Sequence, residues 1–110
     1  MILDEHQSGT VSAAGLALVV IPVPRNERWH VNRMTVLTNQ ATTVTTMPTA
    51  TVYRGSVADG NAYDSTYTGA RDSGDFDIDL QGGDQLVCQW VGGVPGTIAT
   101  LSIFGSKEVV

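Results

Sequence analysis

Residues 75–105 read DFDIDLQGGDQLVCQWVGGVPGTIATLSIFG, and this stretch decides the fold class. Phe76, Ile78 and Leu80 alternate with Asp75, Asp77 and Asp79. A period of two places the apolar three on one face of a strand and the carboxylates on the other. Gly82-Gly83 follows, where a positive φ costs little. The next run alternates Leu86, Cys88 and Trp90 against Val87, Gln89 and Val91. In Val94-Pro95-Gly96, Pro95 pre-sets φ at the second position of a turn, and Gly96 suits the positive φ of type II. The last run alternates Ala99, Leu101 and Ile103 against Thr100, Ser102 and Phe104. Three consecutive β-strands joined by glycine-rich links are predicted.

Working outward, residues 28–38 (RWHVNRMTVLT) predict another strand. Met34 and Val36 share one face. Strict alternation puts Trp29 and Val31 on the opposite one, so a bulge is expected near Asn32-Arg33. Residues 49–54 (TATVYR) predict a further strand, with Ala50 and Val52 on one side. Residues 10–13 and 16–23 read as two short strands, or one broken at Gly15, with Pro22 and Pro24 fitting a strand end. The threonine-rich run 41–49 suits an exposed edge or a long loop, because Pro48 forbids a central strand. Residues 55–74 read as loop-rich, with a turn at Asp59-Gly60 and a short strand near 63–68. No stretch carries the i, i+3, i+4, i+7 spacing of a helix. The sum is an all-β, antiparallel sandwich of jelly-roll type with seven to eight short strands. Its expected organisation is an N-terminal arm over 1–9, one domain over 10–106 and a C-terminal tail over 107–110.

The chain has 110 residues, 42% hydrophobic and 15% charged, with a formal charge of -5. That length allows one domain with a real core. The charge is uneven: beyond residue 54, Arg71 and Lys107 stand against seven Asp and Glu108. An acidic half disfavours nucleic acid and anionic lipid, both of which attract basic surfaces. Cys88 stands alone, so no disulfide forms within the chain, and its phase with Leu86 and Trp90 makes it a core residue. MILDEHQSG lacks the basic and apolar regions of a secretory signal. The apolar run 16–21 is too short to span a membrane.

Asp72, Asp75, Asp77 and Asp79 are the sharpest candidates for a hard-cation site. They lack the glycine and the final Glu of an EF-hand loop. Alternate residues of a strand are spaced at about 7 Å, which lets each carboxylate be solvated singly without a metal. The bland alternative, a wet strand face that discourages stacking of sheets, is preferred. His6 and His30 sit in no zinc pattern, Ser12 in GTVSAAG is no nucleophile elbow, and the glycine pairs lead into no helix that would receive a phosphate. No metal, cofactor or catalytic residue is expected. Tyr63 and Tyr67, in the loop-rich stretch, are the candidates for a ligand-facing surface.

The pieces TVYRG (51–55), TYTGARDSGDFDID (66–79), QLVCQW (85–90), VGGVPG (91–96) and ATLSIFG (99–105) resemble a group of small β-sandwich virion proteins. These are encoded by tailed bacteriophages of actinobacteria. The likeness covers roughly residues 28–106, and its most specific part is W-x-G-G-x-P-G-x-x-A-T-L, Trp90 to Leu101. Where the group favours Pro-Gly after the acidic strand, this chain has Gly82-Gly83. The resemblance implies a non-enzymatic capsid decoration protein, made in the host bacterial cytoplasm and resident on the capsid surface. The implied partners are the major capsid protein and further copies of the chain, with a trimer favoured. Contacts are expected from the arm (Ile2, Leu3) and the threonine edge (Val44, Met47). The alternative is a small tail or head-fibre protein that recognises a cell-surface glycan through Tyr63 and Tyr67.

Overall fold

A strand with one apolar face needs a second layer to bury it, and this chain supplies two four-stranded sheets. The computed structural model describes residues 1–41, 47–68 and 71–110; for residues 63–68 and 76 only the backbone is described. In chain order the strands are β1 (Ile2–Thr10), β2 (Ala17–Pro22), β3 (Glu27–Thr38), β4 (Thr49–Arg54), β5 (Ala62–Thr68), β6 (Arg71–Leu80), β7 (Gln85–Val91) and β8 (Ile98–Val109). One 3-10 turn, Asp59–Asn61, leads into β5. Sheet A has the order β1-β8-β3-β6 and sheet B the order β2-β7-β4-β5, with every pairing antiparallel. Among the described residues no helix is long and apolar enough to cross a membrane.

The pairs β1·β8, β2·β7, β3·β6 and β4·β5 nest inside one another like the rungs of a single long hairpin. Rolling that hairpin up brings β8 beside β3 and β7 beside β4. This is the jelly-roll topology, and it confirms the sandwich read from alternation. It also refines the reading of residues 75–105. Those three consecutive strands lie in sheet A, sheet B and sheet A in turn, so the glycine links carry the chain between layers. The second link is the expected type II turn: Thr97 N–H donates to the Val94 carbonyl at 3.2 Å, and Gly96 has φ +85°. In the first link Asp84 N–H donates to the Gln81 carbonyl at 3.0 Å, and Gly83 has φ +94°.

The core lies between the sheets. Sheet A contributes Leu3, Trp29, Val31, Met34, Val36, Ile78, Leu80, Leu101 and Ile103, and sheet B contributes Val19, Ile21, Val52, Leu86, Cys88 and Trp90. Trp29 and Val31 reach the same interior as Met34 and Val36 because the register shifts between Val31 and Arg33. Against β8, Gly105 faces Val31 and Phe104 faces Arg33, which leaves Asn32 as the extra residue. The bulge expected from the phase conflict is therefore present.

Several boundaries differ from expectation. Residues 1–9 are not an arm: Ile2–Thr10 forms the edge strand of sheet A and pairs with β8 from Ile2↔Ser106 to Thr10↔Ile98. Leu3 is 0% exposed, so it belongs to the core and not to a contact surface. The tail 107–110 is mostly the end of β8, where Glu27↔Val109 and Arg28↔Glu108 continue the ladder with β3. The loop-rich stretch 55–74 holds all of β5 and the start of β6. Most of the threonine-rich run, including Val44, lies outside the described residues.

Candidate functional site: two sheet faces of unlike chemistry

Alternation that buries one face of each strand exposes the other, and the two exposed faces differ in chemistry. On sheet A the outward positions include Ile2, Asp4 and His6 from β1, Arg28, His30 and Arg33 from β3, Asp75, Asp77 and Asp79 from β6, and Phe104 and Glu108 from β8, so that the exposed apolar Ile2 and Phe104 are set among charges. On sheet B, for the strands whose side chains are described, they are Leu18, Val20 and Pro22 from β2, Gln85, Val87, Gln89 and Val91 from β7, and Thr49, Thr51 and Tyr53 from β4; of these Val87 is covered, at 3% exposed. None of those sheet B positions carries a formal charge.

The carboxylates of β6 are not solvated singly as expected. The bulge returns Arg33 to the outer face alongside His30, and together they meet all three. His30 Nδ1 lies 2.6 Å from Asp79 Oδ1, and His30 Nε2 lies 3.0 Å from Asp77 Oδ1. Arg33 donates to Asp75 Oδ1 at 3.2 Å and to Ser73 Oγ at 2.9 Å. The Asp79 hydrogen bond holds the imidazole pKa above its ordinary value; desolvation opposes this, and the charges of Asp79 and Asp77 add to it. Among the described residues no group of three or more His, Cys, Asp or Glu is placed to hold a metal ion.

Beside this ladder is an open depression of about 330 Å³, lined by Arg28, Trp29, His30, Asp79, Lys107 and Glu108 among others. Its ionisable groups pair with one another: Arg28 with Glu108 at 3.2 Å, His30 with Asp79, and Lys107 with Glu27 at 3.6 Å. Glu27 also accepts the indole N–H of Trp29 at 2.9 Å. Cys88 is buried, and burial raises its thiol pKa well above the ordinary value.

On sheet B the register aligns apolar side chains into rows. Val20 pairs with Val87, which pairs with Tyr53; Leu18 pairs with Gln89, which pairs with Thr51. Leu18 is 54% exposed and Val91 50%, with Leu16 and Val20 also exposed. Exposed apolar side chains such as Leu18, Val20 and Val91 on one sheet face mark a surface that a partner or a guarding charge commonly covers. The edge strands β1, β5 and β6 all contain charged residues, whereas β2 (ALVVIP) contains none.

Of the residues singled out as contacts, Ile2 and Met47 are exposed, Leu3 is buried and Val44 lies outside the described residues. Ile2 sits on the outer face of sheet A, on the edge strand β1, which packs beside β2 of the other sheet. Tyr63 and Tyr67 are placed in strand β5, Tyr67 opposite Ala50, but their side chains lie outside the described residues. Sequence reasoning missed the uncharged face. Its signal was present in the positions opposite the buried ones of 17–22 and 85–91, but it needed the sheet order to join them. Neither a known protein family nor a curated protein matches this chain.

Proposed function

We propose that this chain is a structural protein of a bacteriophage virion: a capsid decoration protein that docks on the outer surface of the assembled shell. The observation that carries the reading is the inequality of the two outer faces. An uncharged face with exposed Leu18, Val20 and Val91 suits burial against a protein surface. A face with paired but exposed charges suits water. The jelly roll is one architecture from which viral shells are built, and the resemblance over residues 28–106 points the same way. In this reading sheet B faces the major capsid protein, sheet A faces outward, and copies associate as a symmetric oligomer, a trimer being favoured by the resemblance. Binding only to assembled shell raises the free energy needed to open it, by mass action.

The test is co-sedimentation of purified protein with expanded phage capsids. Val20→Lys and Val91→Lys should abolish binding while leaving the melting temperature nearly unchanged. Thr35→Lys, on the outer face of β3 in sheet A, should leave binding intact. Absence of wild-type binding to capsids, or binding indifferent to both sheet B substitutions, would remove the proposal.

A further inference from the structure

We propose that His30 is a proton-dependent clasp that fastens the edge strand β6 to β3 across the bulge. Strand β6 closes one side of sheet A and has β3 as its only partner there. Its ladder is irregular between Val31↔Ile78 and Arg33↔Asp75, where the backbone pairing loses register. The imidazole lies just before that gap, opposite Asp79, and reaches Asp77 on its other side, at 2.6 Å from Nδ1 to Asp79 and 3.0 Å from Nε2 to Asp77.

The chemistry follows from counting protons. An ionised carboxylate only accepts hydrogen bonds, and a neutral imidazole carries one N–H. The Nδ1 contact with Asp79 is a hydrogen bond and the Nε2 contact with Asp77 an ion pair, and both are attractive at once only when the ring is an imidazolium. Loss of the proton turns one nitrogen's lone pair toward an anionic oxygen, so that carboxylate must swing away. Among the described residues, the nearby cations have partners of their own. Arg28, two residues away on β3, is paired with Glu108 of β8, and Lys107 of β8 is paired with Glu27. Arg33 engages Asp75 and Ser73, and the Met1 amino group on the β1 side donates to the Lys107 carbonyl at 3.0 Å.

The direction of the pH effect is fixed by the raised pKa of the folded state. The clasp contributes fully below the unfolded histidine value of about 6.5 and is lost as pH rises through the higher folded value. The group is exposed, so the effect on global stability is small. The local effect is on β6, whose opening uncovers Ile78 and Leu80. Raising the pH through the folded midpoint thus loosens an edge strand that the protonated clasp helps to hold.

The experiment is an NMR titration of the imidazole nitrogens in the full chain from pH 5 to 9, with amide exchange followed at residues 77–79. In the wild type, His30 should show two protonated nitrogens below its midpoint, and a midpoint above that measured in the urea-unfolded chain. Asp79→Asn should lower the midpoint more than Asp77→Asn does. After correction for base catalysis, β6 amides should exchange a few-fold faster above the midpoint, and His30→Gln should remove that step. A wild-type midpoint equal to the unfolded one overturns the proposal. So does a midpoint unmoved by Asp79→Asn in a protein whose amide spectrum stays native. The wild-type titration decides the matter even if a variant fails to fold.

Discussion

Replacing Gly105 with alanine should destabilise the protein by about 2 kcal/mol, because the β3 bulge occupies the space that a side chain would need. Gly105 lies in the middle of sheet A, opposite Leu3 of β1 on one side and Val31 of β3 on the other. A Cβ built there overlaps the His30 carbonyl oxygen, and comes within 3.0 Å of the His30 carbonyl carbon and 3.1 Å of the Asn32 nitrogen. All three atoms are backbone, so no rotamer change relieves the clash. Either β3 and β8 separate, at about 1 kcal/mol for each ladder bond broken, or the bulge shifts and displaces the side chains beside it. Overpacking of this kind costs about 1–3 kcal/mol, and the lower entropy of an unfolded alanine chain returns about 0.4–1 kcal/mol to the loss. The melting temperature should fall by on the order of 10 °C. Trp29 and Trp90 are both buried, so urea unfolding followed by tryptophan fluorescence measures the change directly. Gly96→Ala is the control. It has open space around it but φ +85°, so it should cost about 1 kcal/mol through backbone strain alone. A Gly105→Ala protein within about 0.5 kcal/mol of wild type, at an unchanged m-value, would show that β3 does not press on β8 as described.

The edge strand offers a second test: Leu3→Ala should cost about 2–5 kcal/mol, whereas Ile2→Ala, on the solvent side, should stay within about 0.5 kcal/mol by the same urea assay. Asp84 accepts hydrogen bonds from Gln81 N–H at 2.9 Å and from Arg54 at 2.8 Å, and the backbone bond foremost lowers its pKa. Its contribution is present above the ordinary carboxylate value of about 3.9 and is lost as pH falls through the depressed folded value. Asp84→Asn should therefore flatten the acid limb of melting temperature against pH; an unaltered limb would show that the carboxylate carries no such linkage. Cys88 should resist iodoacetamide in native protein and react once urea unfolds the chain, as read by mass spectrometry. Rapid labelling without denaturant would contradict its burial.

How much was legible depended on how far apart the deciding residues lie. Alternation is a relation between i and i+2, so the buried and exposed sides of residues 28–38, 49–54 and 85–104 could be read directly. The bulge could be read because Trp29-Val31 and Met34-Val36 conflict in phase, and every one of them is large and apolar. Strand β1 was misread as an arm because its inward positions after Leu3 are Glu5, Gln7 and Gly9, which carry little hydrophobic signal. The start of β6 was misread for a similar reason: Asp72, Ser73 and Gly74 look like a loop until β3 is placed beside them.

By itself, then, the sequence settled that this is a two-layer β protein, which strand faces are dry and where one strand slips register, since each follows from side chains a few residues apart. Only the tertiary structure decided which strands share a sheet, because strands of both layers carry the same alternating pattern. It alone joined His30 to Asp79 and Arg33 to Asp75, pairs separated by 49 and 42 residues. It alone gathered the uncharged residues of β2, β7 and β4 onto one face. Contacts between distant segments depend on how the long hairpin rolls up, and that is set by the packing of the whole core.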